Sequence, residues 1–247
     1  MTKFFLILLP AFIIISCKKP EERSCLKRSG DKTKSIVSTG EFNRLSLMEH
    51  LSYVLVQDTV SYVVLEGGKN LLGFVDCSNM ENQLTIANNN KCKFLRYKTG
   101  DIQVEIHFKK IDQLIFQGTQ LLTNRGEWNF DQLEVILKDT GGSMNLTNFN
   151  GSVFKLINVH GWGDITLSGG VNYFQAEMNG NGYFDSRNFN VQDSISVISN
   201  SSTISKLNTE NCSLKAQLKA MGDIWYYGNP SQIWKQELAK GKLVDMN

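Results

Sequence analysis

The feature that most constrains this chain is a period of about twenty residues running through its second half. Leu114, Leu133, Phe154, Phe174, Ile195 and Leu214 follow one another at spacings of 19, 21, 20, 21 and 19 residues. Two positions further on stand Phe116, Val135, Leu156, Ala176, Val197 and Ala216, all apolar. The residues between the two sets (Ile115, Glu134, Lys155, Gln175, Ser196 and Lys215) are polar in five of six cases. Apolar–polar–apolar alternation is the period of a strand with one buried face. A second apolar column runs through Leu121, Met144, Ile165, Phe184, Ile204 and Ile224, and a looser third through Phe130, Phe149, Val171, Phe189 and Leu207.

Three short apolar strands per unit describe one turn of a parallel β-helix, each turn stacking about 4.8 Å above the last. No turn can bury its own inner face, so the core closes only by stacking. A β-sandwich would show these columns only by accident. The expected fold is therefore all-β: a single-stranded parallel β-helix, right-handed because crossovers between parallel strands are almost always so. Residues 36–247 form this domain, with 36–110 as the N-terminal turns and cap, 111–228 as the regular turns and 229–247 as the C-terminal cap. The last segment breaks the repeat and is lysine-rich, as expected where an open strand edge needs protection. Strand signals in the first part include Tyr53–Gln57 and the strictly alternating Ile102–Phe108, which puts His107 on the polar face.

Two units share a Gly-Asp-Ile motif, Gly163-Asp164-Ile165 and Gly222-Asp223-Ile224. The register sets the two aspartates three turns apart, about 14 Å. Paired glycosidase carboxylates need roughly 5–9.5 Å, and shared Ca²⁺ ligation needs both oxygens within about 2.6 Å of one ion. The motif is therefore expected to mark a corner. Glycine would take a positive φ, aspartate would hold backbone N–H groups, and isoleucine would re-enter the core. No Gly-x-Ser-x-Gly, P-loop or His-Glu-x-x-His occurs in the chain. The three histidines are scattered and read as surface or corner residues. No catalytic residue, metal site or cofactor is expected.

The N-terminus reads as a separate segment. Lys3 precedes the twelve apolar residues Phe4–Ile15, which are too few to cross a hydrocarbon core of about 30 Å. They read as a secretory signal over residues 1–16. Ile14-Ile15-Ser16-Cys17 resembles a bacterial lipobox, which makes Cys17 the expected lipid attachment site and 17–35 a lipid-anchored tether. The expected location is the bacterial outer membrane, with the domain facing outside or the periplasm. Cys25, Cys77, Cys92 and Cys212 remain, and four cysteines allow three full pairings. A formal charge of +2 offers no case for nucleic acid.

With chemistry unsupported, exposed aromatics become the candidate contact residues: Trp162, Trp225 and Tyr226, near the corners of the repeats. Aromatic side chains bind sugar rings or protein partners through a large rigid apolar area. The expected partners are the membrane, through the lipid, and a glycan or an envelope or extracellular protein. A carbohydrate-active β-helix enzyme (lyase or hydrolase) and a passive periplasmic scaffold are the alternatives, since fold alone decides neither.

Several segments taken together carry a family resemblance. They are Phe42-Asn-Arg-Leu45, Val54-Leu-Val-Gln57, Gly68-Lys-Asn-Leu-Leu72, Asn90-Lys-Cys92, Gly161-Trp-Gly-Asp-Ile165 and the closing Tyr226-Tyr-Gly-Asn-Pro230. Over about 36–243 the chain resembles the family described as putative auto-transporter adhesin, head GIN domain, formerly a domain of unknown function. Several middle units depart from the family pattern by losing their glycines, as in Asn200-Ser-Ser-Thr-Ile204. The resemblance implies a cell-envelope lipoprotein with a parallel β-helix and an adhesin-like role, and it supplies no catalytic residue. It also implies a disulfide between Cys25 and Cys92, which match a recurring cysteine pair.

Overall fold

The computed structural model describes residues 28–91 and 101–247. The signal segment, Cys17, Cys25 and Cys92 lie outside the described residues. Within them the chain is a parallel β-solenoid of about six turns, with about 21 residues per turn. Two ladders of stacked strands carry it. One ladder runs β5 (Val75–Met80), β6 (Gln83–Asn88), β2 (Arg44–Leu47) and β8 (Gln113–Phe116), then on through the second halves of four long strands. These are β10 (Trp128–Lys138), β11 (Met144–Val159), β12 (Ile165–Met178) and β13 (Phe184–Ser199), after which β15 (Ser213–Leu218) and β17 (Gln232–Glu237) complete the ladder. The other ladder begins with β1 (Lys32–Ser38), β4 (Tyr62–Gly68), β7 (Gln103–Phe108), β3 (Ser52–Gln57) and β9 (Leu122–Asn124). It continues through the first halves of β11, β12 and β13 to β14 (Ser205–Asn208), β16 (Ile224–Tyr227) and β18 (Leu243–Asp245).

The N-terminal part is threaded, not merely irregular. β2 is held between β6 and β8, and β3 between β7 and β9. The chain therefore lays down one turn, returns beneath it through β6 and β7, and only then proceeds upward. The pairings β1–β4, β4–β7 and β5–β6 are antiparallel and close this end of the coil.

Strand pairing corrects the columns in three places. Leu114 aligns with Val135, not Leu133, so the sequential spacings through Leu156, Ala176, Val197, Ala216 and Lys235 become 21, 21, 20, 21, 19 and 19. Leu122, not Leu121, faces the core opposite Met144. Ser205, not Ile204, takes the inward place between Phe184 and Ile224. In each of the last two cases an apolar residue stands next to the inward one, which is Leu122 in the first and the polar Ser205 in the second, and hydrogen-bond register selects between neighbours. The looser third column divides in two. Trp128, Phe149, Gly169 and Phe189 form one row, and Phe130, Gly151, Val171 and Val191 the other. Leu207 aligns with Ser186 and Tyr226.

The central core is aromatic. Phe149 lies 5.1 Å from Trp128, 5.5 Å from Phe130, 5.3 Å from Phe154 and 6.4 Å from Phe189, ring centre to ring centre. Phe154 and Phe174 stack at 5.6 Å with planes 8° apart. These geometries are those in which ring quadrupoles attract. Gly151 makes room for them: a Cβ there would lie 2.2 Å from the ring of Phe130.

The C-terminal segment does not break the repeat. Ile233 pairs in register with Leu214, and Leu243 with Ile224, so residues 232–245 form one more rung. What changes is its chemistry. Lys235 and Glu237 occupy the places held one turn below by the buried Ala216 and Leu218. Glu237 accepts from the Leu243 N–H at 3.1 Å, and its carboxylate lies 2.9 Å from Lys242 and 3.4 Å from Lys235. Charges at inward positions discourage a further strand from adding. The Lys242 ammonium, the Leu243 N–H and Lys235 hold the Glu237 carboxyl down at about 2, below its ordinary 4.5. The charged form is thus favoured by the fold, and its contribution is present above about pH 4.5 and lost as pH falls towards 2. Amide exchange of β17 and β18, corrected for intrinsic rates, should therefore lose protection between pH 5 and pH 2.5, and Glu237→Gln should abolish that dependence. Unchanged protection across this range would show that the carboxylate does not hold the last rung.

Cys77 and Cys212 are free thiols. Burial pushes both up, Cys77 to about 11 with help from Asp76.

Candidate functional site

The Gly-Asp motif lies where each second-half strand of the first ladder hands over to the next turn of the second ladder. Strand register aligns Leu121, Ser143, Asp164, Tyr183, Ile204, Asp223 and Lys242 along this corner. Asp164 and Asp223 are three turns apart. Each carboxylate reaches one turn on: Asp164 Oδ1 accepts the Tyr183 N–H at 3.2 Å, and Asp223 Oδ1 accepts the Lys242 N–H at 2.8 Å. The aspartates are therefore clips between turns. The glycines have a different reason from the one expected. Neither Gly163 nor Gly222 has a positive φ. A Cβ on Gly163 would lie 1.9 Å from the carbonyl oxygen of Gly142, and one on Gly222 2.2 Å from that of Thr203. Glycine is needed because backbones stack in close contact at this corner. Left-handed residues do occur nearby, at Asp139 and His160.

Between the Gly and its predecessor, the corner tip points outward. Trp162 occupies it and is 70% exposed; Met221, three turns on, is 65% exposed. Leu121 and Tyr183, in the neighbouring column, are also exposed. Over five turns, about 24 Å, one corner thus carries four exposed large apolar side chains. Sequence reading singled out Trp162 alone. Leu121 was hidden because it had been placed inside and Tyr183 because it belongs to no repeated motif; Met221 precedes Gly222-Asp223-Ile224 as Trp162 precedes Gly163-Asp164-Ile165, but it is not aromatic.

The other candidate aromatics lie elsewhere. Trp225 projects from the outer wall of the second ladder with Lys206 Nζ 5.7 Å from its ring centre, and Arg187 stands 5.7 Å from the ring of Tyr227. Tyr226 is corrected: it faces inward opposite Leu207 and packs against the core, with its hydroxyl held by Asp245. Alternation along β16 requires this, since Trp225 and Tyr227 point out. The candidate aromatics therefore do not form one platform.

A second feature is concave. Two adjoining clefts of about 490 and 670 Å³ share Lys110 and Asp131, on the outside of β10 and β11. Three acids line them, and each is near an ammonium: Lys110 lies 3.2 Å from Asp112 and 4.0 Å from Asp131, and Lys155 2.9 Å from Glu134. Lys155 and Gln113 hold the Glu134 carboxyl below the usual carboxylate range. Glu134 is thus a poor general acid, which needs a raised pKa near working pH. On the second-ladder wall, Arg187 does the same to Asp185.

His107 lies on the polar face of β7 as expected, but its reading as a surface residue is corrected, because the ring is buried. Its Nδ1 lies 2.8 Å from Asp58 Oδ2 and its Nε2 2.8 Å from Glu105 Oε1. Arg125 pairs with Glu105 from the far side, and the ring stacks on Tyr62 at 4.0 Å with planes 11° apart. The strict alternation of β7 was read correctly as a period. Beside β7, however, pairs the antiparallel strand β4, whose Tyr62 stands opposite His107 and covers its ring, which no local pattern announces. Both ring nitrogens are engaged, tying Asp58 at the end of β3 to Glu105 on β7, while the stack on Tyr62 is the ring's contact with β4. Among the described residues no group of three or more His, Cys, Asp or Glu is placed to hold a metal ion.

A family model described as putative auto-transporter adhesin, head GIN domain, matches residues 41–230. The chain belongs to this family. Solved structures share the solenoid. A putative adhesin from Bacteroides fragilis superposes with a TM-score of 0.77 at 15% identity, covering 87% of this chain and 97% of that one. A putative adhesin from Parabacteroides merdae gives 0.62 at 14%, covering 90% and 99%. A structure named putative lipid binding protein, from Parabacteroides distasonis, gives 0.60 at 13%, covering 88% and 98%. At these identities the likeness is one of fold. No curated protein sequence matches the chain. The family is described as an adhesin and not as an enzyme, which fits a head GIN domain protein of the cell envelope or surface. Among the described residues no helix is long and apolar enough to cross a membrane.

Proposed function

We propose that this head GIN domain protein is a lipid-anchored envelope protein whose solenoid displays a non-catalytic adhesive surface along the Gly-Asp corner. The exposed ridge of Leu121, Trp162, Tyr183 and Met221 carries the reading. Large apolar side chains in a row on a rigid edge cost solvation and contribute nothing to the core, so they point to a partner. The pairing of every acid in the clefts with a lysine weighs against the hydrolase or lyase alternative. Anchoring rests on Ser16-Cys17: each buried acyl CH₂ contributes about 0.8 kcal/mol, so several chains hold a protein permanently.

The test pairs location with contact. Protease treatment of intact cells should remove the domain, and Cys17→Ala should release it from membranes. Trp162→Ala with Met221→Ala should leave the melting temperature unchanged and lower binding of the mature domain to matrix proteins or cell surfaces by about tenfold. That is the loss of roughly 1.4 kcal/mol expected on removing two contact anchors. Complete protection of the domain in intact cells, or binding indifferent to the double substitution, would overturn the adhesive reading of this corner.

A further inference from the structure

We infer that the double cleft on β10 and β11 is a binding site for an uncharged oligosaccharide. The inference is independent of the corner ridge, since the cleft lies on a different part of the coil. Its two lobes, about 490 and 670 Å³, each fall within the range of about 300–1,000 Å³ usual for small-molecule sites. They are continuous through Lys110 and Asp131, which suits a chain of sugar rings better than a single ring.

The lining selects the ligand by charge. Lys109, Lys110 and Lys155 face Asp112, Asp131 and Glu134, three charges of each sign. Lys110 and Lys155 are close to acids of the cleft, and Lys109 lies 2.9 Å from Glu41. An anionic ligand would have to displace carboxylates, and a cationic one ammonium groups. A hydroxyl does neither, because it donates to a carboxylate and accepts from an ammonium at once. Gln132, Asn172 and Gln175 also line the cleft, and their amides make no side-chain hydrogen bond among the described residues. Amides likewise offer a donor and an acceptor together. Neighbouring amides show what saturation looks like: Asn150 donates to Asn129 at 3.1 Å, and Gln57 is tied to the backbone of Lys109 and Asn129.

Sugar rings also need apolar surface for their C–H faces. The half-buried Gly151 and Val153 offer a little at the floor, while Phe130 and Leu133 beneath them point into the core. Tyr173 stands one turn above Val153 in register and is exposed, an aromatic flank of the kind that packs against a ring.

The test is a glycan array probed with the domain at low and physiological salt. The expected result is binding to a subset of neutral oligosaccharides that barely changes with salt, because the charged groups are already paired. A Gln132→Ala, Asn172→Ala, Gln175→Ala triple variant should retain its melting temperature and lose about tenfold or more in affinity, as for loss of a net hydrogen bond or two. Tyr173→Ala should lose a comparable amount, and Trp162→Ala should bind as the unmodified domain does. Failure to bind any neutral glycan, binding confined to acidic glycans, or undiminished binding by the triple variant would each overturn the inference. Loss on Trp162→Ala alone would move glycan recognition to the corner ridge and overturn the cleft assignment while leaving the adhesive reading intact.

Discussion

Phe149→Ala is expected to destabilise the domain by about 3–5 kcal/mol, the range for removing a fully buried phenylalanine. The ring is 2% exposed and contacts Trp128, Phe130, Phe154 and Phe189. Those neighbours come from the turns of β10, β11 and β13, with Phe189 reaching Phe149 past Gly169 of β12, so the cavity would open at the joint between turns and not inside one. Collapse into it is opposed because every surrounding ring is held by its own strand ladder. Urea titration should show the midpoint falling with little change in slope. Phe149→Leu, which refills much of the space, should cost clearly less. A midpoint shift worth under about 1 kcal/mol for the alanine variant would mean that the aromatic cluster is not the structural centre.

Gly163→Ala is the second large effect, and it acts through backbone. The added methyl would meet the carbonyl oxygen of Gly142 at 1.9 Å and its carbonyl carbon at 2.4 Å. Neither obstacle is a flexible side chain that can swing aside. The turns must separate at the corner, straining the Trp162 N–H to Thr140 and Met144 N–H to Asp164 bonds, both 2.8 Å. Overpacking typically costs about 1–3 kcal/mol, and with rigid backbone as the obstacle the loss should reach about 3 kcal/mol or more. Gly141→Ala is the matched control. Its nearest neighbour would be the Thr119 methyl at 4.0 Å, so the change should stay within about 0.5 kcal/mol or stabilise slightly by restricting the unfolded chain. Equal stability of the two variants would show that the corner relaxes, and that glycine there serves some other purpose.

The two glycines also show how far local sequence reaches. Gly-Asp-Ile marked a corner correctly, because the apolar columns on either side left no other place for it. The reason glycine is required was not legible, since it depends on the carbonyl of a residue 21 positions earlier. His107 is a similar case: alternation along β7 gave its face, but only the antiparallel pairing of β4 beside β7 brings Tyr62 onto the ring. At the candidate site, Trp162 and Met221 hold the same place before Gly-Asp-Ile, while Leu121 and Tyr183 become their companions only when the turns are stacked. Of the cleft, Glu134, Lys155 and Gln175 were legible as one outward column, but that Lys110, Asp112 and Asp131 gather beside them was not, because these share no repeat position with that column.

By itself the sequence determined the architecture. Apolar columns recurring about every twenty residues can be buried only by stacking, so a parallel coil follows from the hydrophobic effect and strand periodicity alone. Tertiary structure decided the phase: which of Leu121 and Leu122 turns inward, that Ser205 replaces Ile204 in the core, and that residues 232–245 add a charged rung instead of leaving the repeat. Those choices are set by hydrogen bonds between strands. A shift of one residue leaves the local pattern nearly unchanged while exchanging core for solvent, and the surface available to a partner depends on that choice.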